Sequence, residues 1–259
     1  MIPKVIHFCW FGGKRKPRLI KDCIRSWKRY LPDYEIIEWN EENSDLSHPF
    51  VKEAYELKKW AFVSDYIRLK ALYDFGGIYL DTDMMVLKPF ESLLDNNCFF
   101  GAEDKDYVSC GIIGAKKNNK IILDFLMIYN SIQIDQKWDL ITMPILITEQ
   151  VRERFNFTNS FINTIDFGDI KIYETDFFYP LPNRNRVDSN NYDKYLTPKS
   201  ITIHLWAGSW VEHDEFYYIS NKLFLKAMFE ISKKIFEPNK FSLSYGKKIL
   251  KEFHRSCFN

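Results

Sequence analysis

Long apolar runs are missing from this 259-residue chain: nothing approaches 18 consecutive apolar residues, so no segment reads as a membrane-spanning helix. Cysteine is scarce and scattered. The five cysteines, Cys9, Cys23, Cys98, Cys110 and Cys257, include no CxxC pair, which argues for reduced thiols rather than a disulfide framework. Charge of either sign is in no surplus, with 36 Lys and Arg against 35 Asp and Glu for a net +1, so there is no global electrostatic case for a nucleic-acid partner. Internal repeats and low-complexity linkers are also absent, and the expectation is one compact unit over 1–259. The opening Met-Ile-Pro-Lys lacks the charged region, apolar stretch and cleavage site of a signal peptide, so a cytoplasmic chain is expected.

Apolar residues, at 46% of the chain, are plentiful enough for a sizeable core. Residues 4–11 (Lys-Val-Ile-His-Phe-Cys-Trp-Phe) read as a buried first strand turned by Gly12-Gly13. Residues 17–31 carry helical spacing through Leu19, Cys23, Trp27, Tyr30 and Leu31, and Tyr34 to Trp39 reads as a second strand. Strands alternating with helices over the first hundred residues predict an α/β fold with a largely parallel, nucleotide-binding sheet. Further strands are expected at 98–102 and 108–115, and helices at 119–132 and 145–154. The segment 156–200, rich in Asn, Asp, Tyr and Pro, predicts irregular loops.

Residues 60–83 hold the densest pattern. On a wheel of about 100° per residue, Trp60, Ser64, Ile67 and Ala71 oppose Phe62, Tyr66, Leu69 and Tyr73, so both flanks of this helix are expected to be buried. Asp65 and Arg68 lie in a narrow sector between them at i,i+3, while Lys70 and Asp74, with Val63, are assigned to solvent. The Asp65–Arg68 pair reads either as a structural ion pair or as charges held among apolar residues to act on a ligand. Gly76-Gly77 then ends the helix, and the strand Ile78-Tyr79-Leu80 runs into Asp81-Thr82-Asp83 before apolar character resumes at Met84. In an extended chain residues i and i+2 point the same way, which would set two carboxylates side by side. Such hard oxygen ligands suit Mg²⁺ or Mn²⁺ bound with substrate phosphates.

The run Lys-Lys-Trp-Ala-Phe-Val-Ser-Asp-Tyr-Ile-Arg-Leu (58–69), followed by Gly-Gly-Ile-Tyr-Leu-Asp-Thr-Asp (76–83), closely resembles glycosyltransferase family 32, the sugar-binding-region DxD family. That family includes fungal α-1,6-mannosyltransferases and bacterial capsular or lipopolysaccharide transferases, and its core is similar to the glucosylating domain of clostridial toxins. The resemblance implies a GT-A fold, a Rossmann-like mixed sheet flanked by helices, divided as a nucleotide-sugar half (1–115), an acceptor half (116–220) and a basic helical tail (221–259). It implies a retaining, metal-dependent transfer of a hexose from a nucleoside diphosphate sugar, UDP-hexose or GDP-mannose, to a saccharide or lipid-linked acceptor in surface polysaccharide synthesis. The base is then expected at Cys9-Trp10-Phe11 with Trp10 as stacking platform, the donor also at Trp60, Ser64, Tyr79 and Thr82, and the catalytic set at Asp65, Arg68, Asp81 and Asp83. In His-Leu-Trp-Ala-Gly-Ser-Trp (204–210) the resemblance implies a return to the diphosphate. His204 then joins Asp81 and Asp83 as a metal or phosphate contact, or stays structural, and Ser209 and Trp210 donate to phosphate. Thr142-Met143-Pro144 departs from the family's usual Thr-Gly-Pro, and a methionine there would reshape an acceptor pocket.

Two other readings fit an Asp-x-Asp: a Mg²⁺-dependent phosphohydrolase using an aspartyl phosphate, and a nucleotide-sugar-binding module without turnover. The phosphohydrolase needs its carboxylates after the first strand, whereas these follow a long helix. Lys14 to Arg18 reads as a solvated loop or as an attractor of an anionic acceptor or lipid phosphate. The tail beyond 221 carries nine Lys and Arg against three Glu, interleaved with Phe224, Phe229, Ile235, Phe236, Leu250 and Phe253. It reads as ordinary packing or as a peripheral contact with an anionic membrane.

Overall fold

In every central strand, alternate residues go to opposite layers, as the period of two requires. Ile6, Phe8, Ile78, Leu80, Phe99 and Ile112 pack into one apolar layer, while Cys9, Tyr79, Phe100 and Ile113 pack into the other. The computed structural model describes residues 1–132, 142–208, 215–220, 222–235 and 243–258. It divides into two compact units, Met1–Ala207 and Gly208–Asn259.

In the first unit, β1 (Val5–Cys9), β2 (Glu35–Trp39), β3 (Gly77–Leu80), β5 (Cys98–Ala102), β6 (Val108–Ala115), β7 (Ile165–Asp166) and β8 (Lys171–Tyr173) form a seven-stranded sheet, ordered β2-β1-β3-β6-β5-β8-β7. The β2-β1-β3 part is parallel; β6 runs antiparallel to both β3 and β5, so the sheet is mixed. Helices cover it: α1 (Arg18–Tyr30), α2 (Pro49–Glu56), α3 (Trp60–Phe75), α4 (Lys120–Ile128), α5 (Met143–Arg154) and the short α6 (Thr175–Phe178). The expected strands and helices are therefore present, but 156–200 is not all loop. It supplies β7 and β8, and Tyr173, Phe178, Tyr179 and Leu181 are buried. Polar residues flank these short strands, and Asp166 lies within β7 itself, so the composition of the segment hides them.

Helix α3 is more enclosed than its wheel predicts. Val63 is fully buried rather than exposed, while Lys70 and Asp74 form an ion pair on the open side. Val63 packs in the layer with Phe50, Val51 and Ala54 of α2, a neighbour that a single-helix pattern does not encode. Gly76 closes α3 at φ +67, ψ −176, a conformation nearly confined to glycine, and a Cβ there would meet the Lys117 backbone nitrogen at 2.6 Å. Met143, of the Thr142-Met143-Pro144 segment, is buried with Ile147 and Val151 in the core.

A second, two-stranded sheet pairs β4 (Met84–Val86) antiparallel with β9 (Thr202–His204), in the register Met84↔His204. Helix α1 fastens it: the Trp27 indole N–H donates to the Met84 carbonyl at 2.7 Å, and the Val86 N–H donates to Ser26 Oγ at 2.9 Å. This small sheet joins segments 120 residues apart at the end of β3.

The second unit, taken by itself, comprises α7 (Glu215–Ser220), α8 (Phe224–Ile235) and α9 (Leu243–Phe258) around Ile219, Ala227 and Ile249. The buried Glu215 carboxylate is neutralised by Lys234 at 2.7 Å.

Candidate functional site

Strand β3 ends at Leu80, and the three residues that follow turn rather than continue extended. The Asp81 N–H donates to the Gly111 carbonyl at 2.7 Å, and the Met84 N–H donates back to the Asp81 carbonyl at 3.0 Å. The pleat therefore does not set the two carboxylates side by side, as the sequence suggested. They are brought together by the turn and by β9, whose register places His204 beside Asp83.

Asp83 is 8% exposed and fully engaged: Oδ1 accepts from His204 Nε2 at 2.9 Å, and Oδ2 accepts from the Ala207 N–H at 2.7 Å. Burial works to raise its pKa, but the His204 charge and these bonds prevail and hold it below the usual carboxylate range. His204 is shifted upward for the reciprocal reason, its burial being outweighed by Asp83. Ligand atoms of Asp81, Asp83 and His204 lie within 4.8 Å of one another. His204 Nδ1 is buried without a hydrogen-bond partner among the described residues. Two carboxylates and an imidazole whose Nε2 faces Asp83 fit a divalent ion such as Mn²⁺ or Mg²⁺.

Behind this cluster lies Arg68, 6% exposed. Its Nη2 contacts Asp65 Oδ1 at 3.1 Å and Asp81 Oδ1 at 3.4 Å. Nη1 donates to the Cys110 carbonyl at 2.8 Å, and Nε donates to the Ser64 carbonyl at 3.2 Å. The guanidinium also lies 4.4 Å from the centroid of the Tyr79 ring, and the Tyr79 hydroxyl donates to Asp81 Oδ1 at 2.9 Å. Every donor group of Arg68 is thus engaged inside the protein. Burial works against its charge, yet Tyr79, Asp81 and Asp65 outweigh it and keep the arginine charged. Asp65 is pushed up to about 6 by burial, with Arg68 opposing.

The remaining predicted donor residues fall into two groups. Cys9 and Phe11 are buried in the layer against α3. Trp10 is half-buried, its indole N–H donating to the Lys14 carbonyl at 2.6 Å, and the Lys16 ammonium lies 5.4 Å from its ring. Trp60 packs against Gly12, where a Cβ would meet its ring at 2.8 Å. Ser64 is half-buried and Thr82 buried. Ser209 and Trp210 lie outside the described residues.

Four further contributors were not named as site residues from the sequence, although Trp206 lies within the 204–210 segment. The Tyr179 hydroxyl accepts from the Ile112 N–H at 2.9 Å beneath Asp81. Trp206 stands 4.0 Å from His204, ring to ring, anchored by its indole N–H on the Leu181 carbonyl. The Cys110 carbonyl receives Arg68. Glu103, just past β5, is shifted upward by burial, with His204 pulling the other way. Its position beyond β5 was the available clue, since β5 runs parallel to β3 and ends at the same edge.

Residues 17–100 match a family model described as a glycosyltransferase sugar-binding region containing a DXD motif. Inositol phosphoceramide mannosyltransferase 3 of Schizosaccharomyces pombe is 26% identical over 130 residues, 47% of this chain and 35% of the relative. Inositol phosphoceramide mannosyltransferase 1 of the same organism is 30% identical over 110 residues, 38% of this chain and 33% of the relative. The chain thus spans about a third of the length of these curated relatives. Among solved structures, PaToxG glycosyltransferase aligns with 60% of this chain and 70% of its own at 22% identity and a TM-score of 0.47, a likeness too slight to bear on fold or activity.

Proposed function

We propose, from residues 17–100 carrying the DXD sugar-binding region of glycosyltransferases, that this chain is a metal-dependent, retaining glycosyltransferase of GT-A type. It transfers a hexose from a nucleoside diphosphate sugar to a saccharide or lipid-linked saccharide acceptor in glycan synthesis. The observation that carries the reading is the convergence of Asp81, Asp83 and His204 at the end of β3. The donor is a UDP-hexose or GDP-mannose, the second supported by the mannosyltransferase names of the relatives.

In this reading Asp81, Asp83 and His204 hold Mn²⁺ or Mg²⁺. Bound there, the ion supplies the positive charge that stabilises the diphosphate as it leaves. The protein's own part is positioning. Arg68 offsets the charge of Asp65 and Asp81 and, with the Tyr79 hydroxyl, fixes the rotamer of Asp81. Asp65 shapes the sugar side of the site, and Trp10 receives the base. Because Asp81 is the carboxylate with more open surface, 28% of its side chain against 12% for Asp83, it is the one through which solvent and donor reach the cluster.

The second unit supports a peripheral location at the inner face of the cell membrane. Helix α8 exposes Leu225, Met228 and Phe229 beside Lys226 and Lys233, a pairing suited to shallow, reversible insertion among anionic headgroups.

The direct test supplies the chain with UDP-glucose, UDP-galactose and GDP-mannose, a mixture of saccharide acceptors and Mn²⁺. The expected result is release of nucleoside diphosphate from one donor, abolished by chelation, with the product's anomeric configuration matching the donor by NMR. Hydrolysis of a phosphomonoester with no sugar transfer would replace this reading with the phosphohydrolase.

A further inference from the structure

Helix α1 has two faces of opposite chemistry. Ile20, Cys23 and Trp27 are buried, whereas Arg18, Lys21, Arg25, Lys28 and Arg29 are all exposed, within a sector of roughly 120° at about 100° per residue. Exposed Lys14 and Arg15 extend the row into the preceding loop. Residues 14–29 hold eight Lys and Arg against the single Asp22, in a chain whose net charge is +1. Charge here is therefore segregated rather than abundant.

Little inside the protein neutralises this row. Asp22 pairs with Arg25 and, at 3.8 Å, with Arg18, while Lys16 pairs with Glu38 at 2.7 Å. Lys14, Arg15, Lys21, Lys28 and Arg29 make no ion pair with other described residues. Lys21 and Arg25, and Arg25 and Arg29, are like charges at i,i+4, which repel. An external anionic surface relieves that repulsion.

We propose that the basic face of α1, with Lys14 and Arg15, docks this chain on an anionic phospholipid bilayer. Along the helix its five cations extend about 16 Å, longer than one phosphate spans, and the hollow lined by Arg15, Lys16, Arg18, Lys21 and Arg25 at its N-terminal end would take one headgroup of such a bilayer while Lys28 and Arg29 meet others. Beside the helical row stands the half-buried ring of Tyr30, against Arg29, rather than the succession of open rings on which single-stranded bases stack. Docking this face would also orient the site, because α1 is bonded to β4 through Trp27 and Ser26, and β4 begins directly after Asp83. The inference is independent of the glycosyl-transfer reading and of the tail.

The test is co-sedimentation of the full chain with vesicles of phosphatidylcholine alone or with phosphatidylglycerol. The variant K21Q/R25Q/K28Q/R29Q leaves the buried face of α1 intact, and its fold is checked by circular dichroism and melting temperature. A second variant, K226Q/K233Q/K247Q/K248Q, removes tail charge. Binding to the anionic vesicles is expected to fall at least tenfold in the α1 variant, to persist in the tail variant, and to vanish near 0.5 M salt, where the screening length is only a few Å. Equal binding by wild type and the α1 variant would overturn the proposal, as would equal binding to neutral vesicles. Displacement from vesicles by millimolar glycerol phosphate would overturn it in favour of a discrete phosphate site.

Discussion

At the residue scale, the site depends on charges that are buried yet paired. Asp65 offers a clean pH readout. Its folded-state pKa of about 6 lies above its ordinary value of 3.8, so between those values the folded chain binds more protons than the unfolded one. Its contribution to stability therefore rises as pH falls through 6 and levels off below 3.8. At neutral pH the buried carboxylate is the costly form, by roughly 2–3 kcal/mol. Asp65→Asn has no such proton to bind, so urea unfolding should show its stability relative to wild type falling by that amount between pH 7 and pH 4. A difference flat with pH would remove the assignment. Asp83 behaves differently because it satisfies both His204 and the Ala207 N–H. Asp83→Ala should cost about 2–3 kcal/mol of stability and abolish Mn²⁺-dependent nucleotide diphosphate binding. Unchanged Mn²⁺ dependence by calorimetry would show that Asp83 does not hold the ion.

At the scale of elements, β6 forms the wall against which the DxD turn is built. Gly111 accepts the Asp81 N–H through its carbonyl, and a Cβ there would meet Asp81 Oδ2 and the Tyr179 hydroxyl, each at 3.1 Å. A methyl group would require a shift of only a few tenths of an ångström, small for stability but direct for the carboxylate. Gly111→Ala is thus expected to lower turnover of the proposed sugar transfer about tenfold or more, consistent with losses from an ångström of misplacement, while moving the melting temperature by no more than a few degrees. Gly114, three residues along the same strand, makes the contrast. A Cβ there would sit 2.0 Å from the Phe99 ring, so Gly114→Ala should destabilise by about 1–3 kcal/mol or more. Circular dichroism melts of the pair, with turnover measured in parallel, separate the two effects, and similar losses of stability in both would contradict this account.

At the scale of the whole molecule, the cluster of Asp81, Asp83 and His204 ties the end of β3 to β9 across 120 residues of chain. An ion bound there stabilises the folded state by mass action, by about 2.7 kcal/mol at a concentration 100-fold above its Kd. For a chain of this size that amounts to a rise of several degrees in melting temperature. Mn²⁺ should produce that rise in wild type and not in His204→Ala, and an equal rise in both would place the ion elsewhere. Much of this architecture was legible in the sequence. Glycine pairs, apolar period and turn residues located β1, α1, β2, α3, β3, β5 and β6, because those signals are local and repeat along the chain. The ordered motifs from Trp60 to Asp83 marked the DxD region for the same reason. Val63 was misplaced because its burial comes from α2, and β7 and β8 were hidden because strands of two and three residues are too short to show a period. The Asp-x-Asp was read as extended, whereas hydrogen bonds to Gly111 and Met84 make it turn. The resemblance already pointed to His204 beside Asp81 and Asp83, but how the three are brought together was decided only in three dimensions. The register Met84↔His204 and the bonds of Asp83 to His204 and Ala207 follow from strand pairing across a long sequence separation, and no local pattern in a chain specifies which distant strand it will pair with.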